Sequence, residues 1–213
     1  MCGTIGIPEG GSEMIEIRIH GRGGQGAVIA SQILAQATFR DDKHVQAFPA
    51  FGSERRGAPV TAFYRVGRFP IWVRSEVYQP DGLIVLDENL LNLKSANVTK
   101  GLKDGGWILI NSPKDPAEFA DLCGCVVATV DASDIGRRHN LGSPTAPIVN
   151  TAIIGAFAEF TGLATLDNIA EAIRGAVPVK AKENVAAAFE GAKSLRATSH
   201  PATEDRRHEN VRA

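Results

Sequence analysis

Between Ile15 and Phe39 the spacing of apolar residues changes once, and abruptly. Ile15-Glu16-Ile17-Arg18-Ile19-His20 alternates apolar and polar positions, the period of a strand with one buried face. From Ala27 to Phe39 the apolar positions fall three and four apart, which predicts a helix. Ile29, Ile33 and Ala37 form its expected buried stripe, with Ala30 and Leu34 beside them. The join is Gly21-Arg22-Gly23-Gly24-Gln25-Gly26, too rich in glycine for regular structure and free to take positive φ. A strand that feeds a helix through such a turn aims backbone N–H groups at the helix N-terminus. The partial positive charge there favours an anion, most often a phosphate.

The same reading extends along the chain. Asp41-Asp42-Lys43 makes a polar turn, and His44 to Phe48 is a second strand. Pro49 to Pro59 is irregular, bracketed by prolines. Val60 to Val66 and Ile71 to Arg74 are expected to form a hairpin about Gly67-Arg68-Phe69-Pro70, which would bring antiparallel pairing into the sheet. Gly82 to Asp87, Trp107 to Asn111 and Cys125 to Asp131 are apolar runs that end on a polar residue, as strands buried on both faces do. Glu88 to Leu102 is mixed helix and loop, and Pro116 to Leu122 is a short helix-compatible stretch. Asn150 is expected to cap a helix over Thr151 to Phe160 that Gly162 stops. Leu166 to Gly175 and Lys182 to Leu195 are two more amphipathic helices. The fold class is α/β: a single three-layer domain over 14–196 with a mixed, mostly parallel sheet and a Rossmann-like first βα unit. Residues 1–13 read as a flexible N-terminal extension and 197–213 as a disordered charged tail.

Composition narrows the function classes. A chain of 213 residues makes one sizeable α/β domain, and its net charge of -1 gives no field for nucleic acid or an acidic membrane surface. No apolar run approaches the length of a bilayer span, and the first residues lack a basic region followed by an apolar core, so a cytoplasmic protein is expected. Cys2, Cys123 and Cys125 are odd in number and sparse, which suits a reducing compartment better than a disulfide scaffold. Cys123-Gly124-Cys125 enters an apolar strand and reads as core packing, and the four-cysteine spacing of an iron–sulfur site is absent. Without export, the glycosylation acceptor pattern Asn97-Val98-Thr99 has no meaning. No Ser–His–acid set and no metal-ligand set is evident, so no catalytic and no metal residues are expected. His20 ends a strand beside the turn, where it is either a hydrogen-bonded structural histidine or a ligand contact. His200 and His208 fall in the tail.

The glycine turn satisfies G-x-G-x-x-G. A dinucleotide site would also want an acid at the end of the second strand, about 20 residues on, to hold the ribose. Here Asp41 and Asp42 precede that strand and Phe48-Pro49-Ala50 ends it. A P-loop fails because Gly26 is followed by Ala27-Val28 and not by Lys-Ser or Lys-Thr. Local chemistry leaves a dinucleotide site, another phosphate-facing site and a turn that needs glycines only for packing side by side. Glu54-Arg55-Arg56-Gly57 is likewise either a solvated turn with a surface ion pair or a guanidinium held out to grip a carboxylate or phosphate. Phe48, Phe51 and the prolines argue that this loop is held.

Four stretches then carry a resemblance: His20 to Ala27, Gln46-Ala47-Phe48-Pro49, Glu54 to Pro59, and Pro147-Ile148-Val149-Asn150-Thr151, in order and at family-like spacing. Together the chain resembles the gamma subunit of the 2-oxoacid:ferredoxin oxidoreductases, the pyruvate synthase family, over about Met14 to Leu195. The resemblance implies a complex that decarboxylates a 2-oxoacid on thiamine diphosphate and passes the acyl group to coenzyme A. Electrons would leave through 4Fe-4S clusters to ferredoxin or to an NAD-linked flavoprotein. Thiamine diphosphate and clusters would sit in alpha, beta and ferredoxin-like delta partner subunits, and this chain would help assemble the complex and meet coenzyme A. Its expected contacts are the backbone of Gly23, Gly24, Gln25 and Gly26, with Arg22, Arg55 and Arg56. The alternatives are a purely interfacial assembly subunit and, more distantly, a stand-alone dinucleotide-binding dehydrogenase.

Overall fold

The computed structural model describes residues 14–50 and 57–198; the expected N-terminal extension and the tail from 199 lie outside them. Strand β1 (Met14–Arg22) is longer than its alternating core because Gly21 and Arg22 still pair, with Val60 and Pro59 of the neighbouring strand. Helix α1 (Ala27–Phe39) has the bounds the periodicity predicts, but its buried stripe is rotated. Ile29 is 46% exposed, since two residues on from Ala27 is about 200° round the helix. Ser31 and Thr38 take part in the stripe instead. Each is buried because its hydroxyl donates to its own helix, Ser31 Oγ to Val28 O (2.7 Å) and Thr38 Oγ1 to Leu34 O (2.7 Å).

Five further strands and a short last one build the sheet: β2 (His44–Pro49), β3 (Pro59–Gly67), β4 (Gly82–Val85), β5 (Trp107–Asn111), β6 (Val126–Val130) and, after the helices, β9 (Arg196–Ala197). Their order is β2-β3-β1-β4-β5-β6-β9. β3 lies antiparallel between β1 and β2, in register Ile17 to Tyr64 to Ala47. β4, β5 and β6 run parallel to β1, while β9 pairs antiparallel with β6. Antiparallel pairing is therefore present, but not through the expected hairpin. Ile71 to Arg74 form no strand, because both edges of β3 are already occupied. The sheet also runs one residue into the stretch expected to be tail, and Thr198 N donates to Val127 O (2.9 Å).

Between β6 and β9 lie α2 (Ala132–Arg138), the two-strand ribbon β7 (Gly142–Ser143) and β8 (Ala146–Pro147), then α3 (Asn150–Thr161), α4 (Leu166–Ala176) and α5 (Ala181–Lys193). Asn150 is the first helical residue of α3 and not its cap; Val149 precedes it, and Gly162 at φ +65° ends the helix as expected. α2 carries no long apolar pattern and is set by Asp131, whose Oδ1 accepts from Asp134 N at 2.8 Å. α3 and α5 cross so closely that a Cβ on Gly155 would stand 1.9 Å from Ala188 O, and one on Gly191 would stand 2.0 Å from Ala152 O.

The helix side of the sheet holds the larger core, running from Ile17, Ile19 and Tyr64 through Ile33 and Leu34 to Phe157 and Ile173. The opposite face is covered over β4, β5 and β6 by 3-10 turns at Glu88–Asn92, Lys94–Ala96 and Pro116–Leu122, with Leu83, Val85, Ile108 and Ile110 beneath them. Cys123 and Cys125 pack against this second core as expected, and in addition form a disulfide with each other, which the reading of the pair as core packing in a reducing compartment did not include. Three layers result, with a sheet in the middle.

Candidate functional site

β1 leaves the sheet toward α1 on one face, whereas β4 leaves toward the 3-10 turns on the other. Adjacent parallel strands whose connections diverge open a crevice at their C-terminal ends, the usual place for a ligand in an open α/β sheet. A cleft of about 560 Å³ lies there. The glycine turn forms one wall; Asp87, Asn111 and Asp131, which follow or end β4, β5 and β6, form the floor, with α2 and the β7–β8 ribbon opposite.

The turn is conformationally demanding. Gly24 has φ +99° and open space around it, so its backbone angle and not crowding selects glycine. Gly26, at φ +80°, has both constraints: a Cβ there would meet Asn150 Nδ2 at 2.5 Å. In the turn Gly23 N donates to Ala58 O and Gln25 N to Arg22 O, both at 2.9 Å. The amides of Gly24 and Gly26 have no acceptor among the described residues. Gln25 braces the turn itself, its Oε1 accepting from Arg22 N at 2.8 Å.

Arg22 lines the cleft but is not a loose cation. Its Nε donates to Asp87 Oδ2 at 2.6 Å and its Nη1 to Gly57 O at 3.2 Å. Asp87 also accepts from Asn89 N (3.0 Å) and Asn89 Nδ2 (2.9 Å), which anchors it to the following turn. Burial pushes the Asp87 carboxyl up, but the hydrogen bonds from Arg22 and Asn89 outweigh it, and its pKa lies below the usual value. Asn111 is held on all sides, donating to Leu86 O (2.9 Å) and Ser133 Oγ (3.0 Å) and accepting from Ser133 N (3.2 Å).

Arg55 and Arg56 lie outside the described residues. The end of their motif does reach the turn, through Gly57 N donating to Gly23 O (3.0 Å) and Gly23 N to Ala58 O. Asn150 Nδ2 reaches Gly26 O at 3.4 Å from the other side, and Pro147 lines the cleft. Three of the four stretches that carry the resemblance therefore converge on one crevice, although they lie far apart in sequence. Asp87, Asn111 and Asp131 were not singled out as site residues. Their signal was present, since each closes an apolar run at the C-terminal end of a parallel strand.

His20 keeps Nε2 buried without a hydrogen-bond partner among the described residues. It is buried beside the turn, with Thr61 Oγ1 3.4 Å from Nδ1. Burial, and secondly the Arg18 charge, hold its pKa at about 3, so it is neutral at pH 7. Among the described residues no group of three His, Cys, Asp or Glu side chains is placed to hold a metal ion, and no helix is long and apolar enough to cross a membrane.

Residues 16–194 match the family described as pyruvate ferredoxin/flavodoxin oxidoreductase. The chain is 51% identical over 164 residues to the common subunit gamma of the pyruvate/ketoisovalerate oxidoreductases of Thermococcus kodakarensis, covering 76% of this chain and 85% of the relative. A crystal structure of the pyruvate oxidoreductase subunit PORC of Thermotoga maritima superposes with a TM-score of 0.73 at 34% identity, over 88% of this chain and all (100%) of that one. The 2-oxoglutarate:ferredoxin oxidoreductase of Magnetococcus marinus, solved with 2-oxoglutarate, coenzyme A and succinyl-CoA bound, shares the fold at a TM-score of 0.68 and 18% identity. There the match covers 88% of this chain and 32% of the longer one.

Proposed function

Because the chain belongs to the pyruvate ferredoxin/flavodoxin oxidoreductase family, as a gamma-type subunit of a multi-subunit oxidoreductase, we propose that it holds the phosphates of coenzyme A while partner subunits carry out the redox chemistry. In this reading the whole complex oxidatively decarboxylates a 2-oxoacid to an acyl-CoA in the cytoplasm. Thiamine diphosphate and 4Fe-4S clusters belong to alpha, beta and delta-type partners, which supply carbanion chemistry and one-electron transfer to ferredoxin or an NAD-linked flavoprotein. The contribution of this chain is binding and orientation. The unengaged amides of Gly24 and Gly26 at the start of α1 would receive phosphate oxygens, and Arg22, with Arg55 and Arg56, would add charge.

The observation that carries the reading is the convergence of three distant motif stretches on a crevice lined by Gly24, whose amide is unengaged, with the unengaged amide of Gly26 two residues further along the turn. The occurrence of coenzyme A in the Magnetococcus marinus enzyme supports the ligand class. In the intact complex, Arg22→Ala and Arg55→Ala are expected to raise KM for coenzyme A several-fold, with KM for the 2-oxoacid unchanged. An unchanged KM for coenzyme A in both variants would refute the reading.

One observation favours a second possibility. Arg22 is already paired with Asp87, as an arginine with a purely architectural role would be. If both motifs serve only assembly, the same substitutions will release subunits on a sizing column and leave coenzyme A affinity intact.

A further inference from the structure

After Gly67 the chain passes over the face of the sheet opposite the helices as a strap, residues 68–78, that is neither helix nor strand. It is pinned from below by Arg65, which is 1% exposed. Arg65 Nη2 donates to Ser75 O (2.8 Å) and Glu76 O (3.3 Å), while its Nε holds Glu16 Oε1 (2.7 Å) and its Nη1 holds Gln46 Oε1 (2.8 Å). Gln46 Nε2 donates in turn to Val73 O at 3.0 Å, and Val77 is buried as a second anchor. A strap held in this way has a fixed outer side. Along it Trp72 at 83% exposure, Tyr78 at 69%, Phe69 and Val73 stand open to solvent.

Single exposed apolar residues need no explanation, but four on one pinned segment of eleven do. The two exposed charges flanking Trp72 are Arg68 and Arg74. Tryptophan, tyrosine and arginine are the residues most enriched where one protein grips another. We propose that this strap is the surface on which the chain docks to another subunit of its oxidoreductase complex, through a patch with an apolar pocket for Trp72 and carboxylates at its rim for Arg68 and Arg74.

Charge and identity select this occupant. A second copy meeting strap to strap would gather two Arg68 and two Arg74 in one patch with only the half-buried Glu76 of each strap to answer them, which like-charge repulsion disfavours. A gamma-type subunit needs a partner interface, and the curated relative is itself a subunit shared between two oxidoreductases. The position also suits the task. Arg65 sits opposite Glu16 and the cleft opens beyond Arg22, so strap and cleft are about 20 Å apart along β1. Docking at one end leaves the other end open to a ligand.

The test reads assembly and leaves the cleft alone. The chain has two tryptophans, Trp72 and the 4%-exposed Trp107, so 5-fluorotryptophan labelling of this subunit gives two fluorine resonances, assigned with Trp72→Phe. On reconstitution with unlabelled partner subunits the Trp72 resonance is expected to shift and lose its broadening by a soluble paramagnet, while Trp107 is unaffected. Trp72→Ala is expected to weaken association about thirtyfold by analytical ultracentrifugation, with KM for coenzyme A in the remaining complex unchanged. A Trp72 that stays open to the paramagnet in the assembled complex would overturn the proposal. So would a response only to a second copy of the chain, or only to anionic phospholipid vesicles. A change in KM for coenzyme A without dissociation would count against it as well, since that result belongs to the cleft.

Discussion

The crossing of α3 and α5 gives a severe test of the packing, because the same substitution should act in opposite directions at two glycines. In Gly155→Ala the new Cβ would stand 1.9 Å from Ala188 O, 2.5 Å from its carbonyl carbon and 2.7 Å from its Cα. All three are backbone atoms, so no side chain can rotate away. Ordinary contact begins near 3.4 Å, and the helices would have to part by about 1.5 Å, opening the seam between them. Overpacking of this kind costs about 1–3 kcal/mol, and a backbone clash belongs at the upper end. Alanine's better helix propensity returns about 1 kcal/mol. The net loss is about 2 kcal/mol, or a fall in Tm of about 4–8 °C for a chain of this size. Gly175, exposed near the end of α4, has nothing within 4 Å of its would-be Cβ. Gly175→Ala should therefore stabilise, by up to about 1 kcal/mol. Thermal and urea unfolding followed by circular dichroism would measure both. If Gly155→Ala melted within 1 °C of the parent or above it, the two helices would not cross as closely as described, and the reasoning would fail.

Two other outcomes can be set out from the buried charges. His20 stays neutral in the folded chain down to about pH 3, whereas in the unfolded chain it takes up a proton below about pH 6.5. The unfolded state thus binds more protons between those values, so stability is full above pH 6.5 and falls with acidification, by up to about 1.4 kcal/mol per pH unit. His20→Gln should flatten the slope of the urea midpoint between pH 6.5 and 5, above the range in which Asp87 and Glu190, both with lowered pKa values, contribute in the same direction; an undiminished slope would assign it elsewhere. Arg65→Ala should destabilise by about 3 kcal/mol, since Glu16 loses its partner and two carbonyls of the strap lose their donor. Trypsin should then cut the strap at Arg68 and Arg74 faster than in the parent, and equal cleavage rates would show that Arg65 does not hold it.

What was legible in the chain follows from the kind of interaction involved. β5 and β6 were plain because uninterrupted apolar runs have few alternatives once turns bound them. α1 matched to the residue because Gly26, left-handed, leaves no doubt where the helix starts. Ile71-Trp72-Val73 misled because β-propensity reports how a residue fits a pleated surface, not whether an edge is free to receive it. The Arg22–Asp87 pair was invisible for a related reason: it joins residues 65 positions apart that only the β1–β4 pairing brings together. α2 escaped notice because a capping carboxylate, and no amphipathic stripe, starts it.

The last strand, β9, has a consequence for biosynthesis. Until Arg196 and Ala197 emerge, β6 forms the border of the sheet and its outer hydrogen-bonding groups have no protein neighbour. Those two residues, with Thr198 clasping Val127 and the Arg196 guanidinium reaching Pro113 O (2.6 Å), hem that border only after α5 has been made. A chain that ends at Leu195 would keep α5 and both cores yet display a raw strand to every neighbouring polypeptide, which is where aggregation by strand addition starts.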